Sequence, residues 1–158
     1  DKFDAILVIG NDFHALGAAL AFPKKVILID PFNREVYSMD KLREKIIRQR
    51  IIAINEVKNA RKIGIIIDNK PGQHFGSAHY IKNKLERLDK EVILLSMNEI
   101  TDDKLVNLYD IEAFIETACP RISIEDYSRF SKPVINYREA LVVIEDLTFE
   151  QLFEQGVV

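Results

Sequence analysis

Cysteine is almost absent from this chain: Cys119 is the only one in 158 residues. One thiol cannot close an internal disulfide, which fits a reducing, cytosolic setting. Neither C-x-x-C nor H-x-x-x-H spacing occurs, so His14, His74 and His79 do not build a zinc site with Cys119. A basic excess is missing too. With 22 Lys and Arg against 25 Asp and Glu, the net charge is −3, and no positive field argues for nucleic acid or an anionic membrane. No apolar run approaches the length of a membrane span, and the N-terminus lacks a signal-peptide pattern. Low-complexity segments are absent. An initiating Met is absent as well: the chain opens Asp1-Lys2-Phe3 and enters a strand almost at once. The expectation is therefore a cut-down piece of something longer.

What is present is enough for a folded core. Hydrophobic residues make up 47% of the chain and charged residues 30%, a balance that supports one ordinary domain or two small ones. Ala5 to Ile9 is a continuous apolar run, as expected of a strand buried on both faces of a parallel sheet. Gly10-Asn11-Asp12 turns the chain, His14 to Phe22 has helical composition, and Val26 to Ile29 is a second strand ended by Asp30-Pro31. Arg34 to Ser38 adds a short extended segment. Asp40 to Ala60 reads as one long helix with Asp40 as N-cap and Leu42, Ile46, Ile47, Ala53, Ile54 and Val57 at helical spacing. Arg43, Lys45, Arg48, Gln49 and Arg50 make its first half basic, and a solvated face is the expected account of them.

A second α/β pattern begins at Lys62. Ile63 to Ile67 and Glu91 to Leu95 read as strands, with Ser77 to Leu88 as an amphipathic helix between them. Glu99 to Leu108 reads as a short capped helix or turn. An alternating strand over Ile111, Ala113, Phe114 and Ile115 then runs into Thr117-Ala118-Cys119-Pro120-Arg121. Glu125 to Phe130 forms a helical turn, Pro133 to Ile135 a last strand, and Tyr137 to Ile144 a helix. Thr148 and Gln151 have the spacing of a capping box for a final helix, Phe149 to Glu154. The fold class that follows is α/β: parallel sheets flanked by helices, one partial and one complete small domain. The expected division is 1–39 for the partial domain, 40–61 for a connector helix and 62–158 for the complete one.

Ligands of such sheets bind outside the carboxyl ends of the strands. Three unusual loops follow strands: Gly10 to Gly17, Asp68 to Gly76 and Thr117 to Arg121. The first is not a dinucleotide fingerprint. Gly10 and Gly17 are too far apart, and Asp12 stands where a pyrophosphate must approach bare backbone. In the second, Lys70-Pro71-Gly72-Gln73 could hold a carboxylate or phosphate on its backbone N–H groups, or be an ordinary Pro-Gly turn. It is not a Walker loop. In the third, Pro120 ends sheet pairing, and Arg121 places a fixed positive charge two residues from the thiol, which favours the thiolate. The alternative is a small, buried, inert cysteine.

Taken in order, these loops resemble one family. The series is Gly10 to Gly17, Asp30-Pro31, Lys70 to Gln73, Thr117 to Ile122 with Asp126 and Arg129-Phe130, and Lys132-Pro133. It is similar to the second half of the diphthamide synthase radical-SAM subunits, the archaeal form in particular. Asn11-Asp12 and Ala15 depart from the family pattern, as does Glu116, which stands where Asn is usual. The resemblance implies three related α/β domains, each giving one cysteine to a four-iron, four-sulfur cluster. The cluster's unique iron binds S-adenosylmethionine and cleaves it to a 3-amino-3-carboxypropyl radical. That radical adds to a histidine of translation elongation factor 2. On this resemblance Cys119 is the third cluster ligand. Lys70, Gly72, Gln73, Thr117, Arg121 and His14 face the cofactor.

The resemblance further implies a cytoplasmic homodimer of a longer subunit, with no nucleic-acid or membrane partner. One cysteine supplies one ligand, so the chain alone is expected to be inactive. The alternative is a non-catalytic α/β binding or interaction module related to that family.

Overall fold

A computed structural model describes residues 3–68, 76–124 and 127–158. By its contacts the chain forms two units: residues 1–49 with 148–158, and residues 50–147. The final segment thus groups with the first unit, and the boundary falls inside the long helix between Gln49 and Arg50. This division places both boundaries of the second unit elsewhere than 62–158.

The first unit contains β1 (Ala5–Ile9), α1 (Asp12–Ala21), β2 (Lys25–Asp30) and β3 (Glu35–Ser38). Its sheet has the order β1-β2-β3, with β1 and β2 parallel and β3 antiparallel. Asn11 caps α1, its Oδ1 accepting the His14 N–H at 3.4 Å. Val26 and Leu28 are buried on one sheet face, with Ala15, Leu16, Ala19 and Leu20 of α1 also in the core. The expectation that β1 is buried on both faces is corrected. Leu7 is 64% and Ile9 74% exposed, so among the described residues that face has no cover. An apolar run reads alike whether one or both of its faces are packed. The last helix, α7 (Phe149–Gln155), closes this unit with the expected capping box of Thr148 and Gln151. Just beyond it the Val157 N–H donates to the Leu20 carbonyl at 2.9 Å.

Helix α2 (Asp40–Asn59) follows β3, and Asp40 is its first residue rather than its cap. The Arg43 N–H bonds to the Met39 carbonyl, which moves the cap position to Met39. Asp40 still places negative charge at the positive end of the helix dipole.

The second unit is built on β4 (Lys62–Asp68), β5 (Glu91–Met97), β6 (Ala113–Glu116) and β7 (Val134–Asn136), all parallel. Their order is β5-β4-β6-β7. The connecting helices are α3 (Ala78–Arg87), α4 (Asp102–Val106) and α5 (Arg121–Ile124), the last followed by a 3-10 turn at Tyr127–Arg129, and then α6 (Tyr137–Val143) after β7. Ser77 caps α3, which buries Ala78, Ile81 and Leu85 along one stripe. All four residues of β6 are buried, so the alternation expected there is corrected to burial on both faces, as a central parallel strand requires. Lys132 ties the entry of β6 to the rest of the unit, its Nζ donating to the carbonyls of Leu108 and Ile111.

Gly64 in β4 is set by packing. A Cβ there would stand 2.8 Å from Cδ1 of Phe114 on the neighbouring strand and 3.0 Å from Cδ1 of Leu95. Gly64→Ala is expected to destabilise the protein by about 1–3 kcal/mol through overpacking. Gly17→Ala, in open space inside α1, is expected to stabilise it by about 0.5–1 kcal/mol. Urea unfolding of the two variants checks both signs, and equal effects would contradict the packing described.

Candidate functional site

The strand order locates the site. From β4 the chain passes outward to β5, then crosses back to β6 on the opposite side of β4. That reversal makes the carboxyl edge between β4 and β6 the topological switch point, where a crevice opens between diverging connections. Segments 69–75 and 117–121 follow these two strands, which are paired up to Ile66 and Glu116. Lys70, Gly72 and Gln73 lie outside the described residues.

Thr117 is buried, and both its N–H and its Oγ1 hydroxyl donate to the Ile66 carbonyl at 3.0 Å. Its hydroxyl therefore anchors the segment to β4. Cys119 is half-buried at the turn. Arg121 is exposed and begins α5, a short helix whose entry Pro120 accommodates because a missing N–H costs nothing there. The Ile122 N–H bonds to the Cys119 carbonyl at 2.9 Å, and the Ile124 N–H to that of Pro120 at 3.2 Å.

Beneath this segment lies a polar network in the core. Arg50 donates from Nε and Nη2 to the two oxygens of Glu139 at 2.6 and 2.7 Å. It also donates from Nη2 to the Val134 carbonyl at 2.8 Å and from Nη1 to the Ser123 carbonyl at 2.5 Å. Both side chains are fully buried. Glu139 also accepts the Asn136 N–H at 2.9 Å, completing the capping box of α6. Arg50 thus departs from the solvated face expected of the basic stretch, while Lys45 and Arg48 are exposed. The spacing carried a signal: Arg50 falls in phase with Ile46, Ile54 and Val57, the buried stripe of the same helix.

Glu116 is the second buried carboxyl. Its Oε2 accepts the Ala118 N–H at 2.9 Å, and its Oε1 lies 3.3 Å from Ser123 Oγ. Burial pushes its pKa up to about 8; the Ala118 N–H lowers it, the Glu139 charge adds to the rise, and Ser123 and Arg50 oppose it. The protonated acid suits these partners. Protonated, its hydroxyl can donate to Ser123 Oγ and leave the Ser123 hydroxyl for the Pro120 carbonyl at 3.1 Å; ionised, Glu116 accepts from Ser123 instead.

His14 lies in the first unit and Cys119 in the second. His14 is exposed, with Nδ1 2.8 Å from Asn11 Oδ1 and its ring edge-on to Phe13 at 5.1 Å. Asn11 Oδ1 can only accept, so His14 carries a proton on Nδ1. Nearby, Tyr37 donates its hydroxyl to Asp12, and that bond pushes the phenol up to about 12. Asp30 accepts from the N–H groups of Phe32 and Asn33 and the Asn33 amide, and so shapes its own turn. Among the described residues, no three of His, Cys, Asp or Glu stand close enough to hold a metal ion.

Fold and site define an α/β protein whose sheet carries a lone thiol at its switch point. A family model described as "Putative diphthamide synthesis protein" matches residues 1–153, and the chain belongs to that family. The 2-(3-amino-3-carboxypropyl)histidine synthase of Pyrococcus horikoshii is 34% identical over 154 residues, covering 94% of this chain and 44% of that protein. The corresponding synthase of Methanocaldococcus jannaschii is 29% identical, covering 96% and 45%. The crystal structure of Dph2 from Pyrococcus horikoshii with a 4Fe-4S cluster superimposes with a TM-score of 0.84 at 32% identity, covering 99% of this chain and 46% of that one. The chain spans about half the length of these archaeal relatives.

The raised pKa of Glu116 has a consequence for stability. Unfolded, the group ionises near its ordinary 4.5; folded, it holds its proton to about 8. Its contribution is thus complete below about pH 4.5 and is lost as the pH rises towards 8. Asp30, Asp102 and Asp146, held below the usual carboxylate range by hydrogen bonds, are ionised in both states across that window. Glu116→Gln should therefore gain stability relative to the wild type as pH rises from 5 to 8. Urea unfolding of both proteins at each pH measures the difference. A constant difference would mean that Glu116 is buried as the ion.

Proposed function

We propose that the chain is part of a 2-(3-amino-3-carboxypropyl)histidine synthase and supplies one thiolate, Cys119, to a four-iron, four-sulfur cluster. The observation that carries this reading is the position of Cys119, half-buried at the switch point directly after a fully buried strand. The thiolate is the usual protein ligand of such clusters. The cluster supplies the electron that cleaves S-adenosylmethionine, whose 3-amino-3-carboxypropyl group passes to a histidine of translation elongation factor 2.

This chain's own residues bind and orient. Thr117 holds the ligand segment to β4 through Ile66. Arg121, exposed beside the turn, offers positive charge to an anionic substrate group, as would Lys70 with the backbone of Gly72 and the amide of Gln73. With one cysteine in the sequence, the remaining cluster ligands come from outside this chain, and the chain by itself is inactive. The working protein is a cytoplasmic homodimer of the longer subunit, acting on a protein substrate without nucleic acid or membrane. The second reading is a non-catalytic relative, favoured by the lone cysteine.

Anaerobic iron–sulfur reconstitution of the longest product of the encoding gene separates the two. Iron bound by that product, with S-adenosylmethionine cleaved on reduction, is the expected result. Cys119→Ser in the same protein should keep the fold and lose most of the bound cluster. Unchanged iron content in that variant would rule out Cys119 as a ligand.

A further inference from the structure

We propose that Glu116 is a positioning residue for Cys119, clamping the two ends of the segment that carries the thiol while the Arg50–Glu139 pair holds the clamp's far end in place. The proposal rests on the reading of Cys119 as a cluster ligand, though its test does not.

The geometry is specific to that segment. Glu116 is the last residue of β6, and its carboxyl reaches forward along the chain. One oxygen takes the Ala118 N–H, immediately before Cys119; the other meets Ser123 Oγ, four residues after it. The turn Cys119-Pro120-Arg121-Ile122 is therefore the span between two anchor points on one carboxyl. Ser123 is gripped a second time, its carbonyl accepting from Arg50 Nη1. Arg50 is in turn oriented by both oxygens of Glu139 and by the Val134 carbonyl at the start of β7. Helices α2 and α6 and strand β7 thus converge on α5. Glu116, Arg50 and Glu139 are all at least nine-tenths buried, so water does not compete for these bonds. A buried carboxyl at the end of a central strand is costly, and a nonpolar residue would pack there without that cost. The carboxyl's two bonds bracket the thiol turn, which accounts for its place.

Substitution separates a clamp from a generic core residue. Glu116→Gln keeps both arms: its amide oxygen accepts from Ala118 N–H, and its NH2 donates to Ser123 Oγ, which still donates to the Pro120 carbonyl. Glu116→Leu fills similar space and makes neither bond. Two buried hydrogen bonds of ordinary strength correspond to roughly a tenfold change in the population of the opened segment.

The experiment is the rate of Cys119 alkylation by iodoacetamide, measured on this chain under native conditions from pH 6 to 10. Glu116→Leu should alkylate about tenfold faster than wild type and Glu116→Gln within about twofold of it. Ser123→Ala, which removes one arm, should fall between and remains informative if Glu116→Leu does not fold. Gly64→Ala provides a variant destabilised elsewhere in the same unit, and its rate should match wild type. Equal rates in wild type, Glu116→Leu and Ser123→Ala would overturn the clamp, as would acceleration by Gly64→Ala equal to that by Glu116→Leu. Iron retention by Cys119→Ser in the longer protein tests the ligand reading separately, so failure of one leaves the other standing.

Discussion

A guanidinium taken out of water must find a partner for its N–H groups, and that requirement organises the second unit. Arg50 meets it with the carboxylate of Glu139 and with two backbone carbonyls, one on β7 and one on α5. Desolvating the two charges largely offsets their attraction, so the pair adds little net stability compared with well-packed apolar side chains. Its effect is geometric. The planar fork of Arg accepts few alternative arrangements, and its four bonds reach three elements, α6, α5 and β7. Removing either partner would leave an uncompensated charge in the core, the costly case for such pairs.

The same constraint reaches the candidate ligand through Ser123 and Glu116. Two carboxyls in one core repel, and burial already disfavours the ion, so Glu116 is raised while Glu139 sits against the arginine. The two environments give the two acids different work. Glu139 completes a helix cap and orients Arg50, while Glu116 folds the thiol turn against the sheet. Together these bonds connect the end of β6 to α5, α2, β7 and α6. The lone cysteine stands at the sheet edge, on a segment bonded to Glu116 both before and after it.

Much of the architecture was legible in residue patterns. The runs read at Ala5 to Ile9, Val26 to Ile29, Ile63 to Ile67 and Glu91 to Leu95 fall in strands, and the stripe read from Ser77 to Leu88 in a helix. Capping chemistry was readable at Thr148, whose bond to Gln151 is local in sequence. The order of loops that carries the family resemblance was readable for the same reason: each loop is a short contiguous motif. The basic stretch of α2 was harder. Charge suggested solvent for Arg50, while its phase with Ile46 and Ile54 pointed inward, and only a partner 89 positions away settled the matter.

The sequence by itself determined the alternation of strands and helices, the capping box at Thr148, and the placing of the only thiol just after a strand, because all of these depend on neighbours within a few positions. The tertiary structure decided three further things. It set the strand order β5-β4-β6-β7, and with it the switch point at which Cys119 stands. It left one face of β1 without cover among the described residues, where composition alone suggested burial. It also turned Arg50, Glu116 and Glu139 into one buried network. Pairings of this kind join residues far apart in the chain, and a charged side chain reads the same in sequence whether its partner is water or another buried charge.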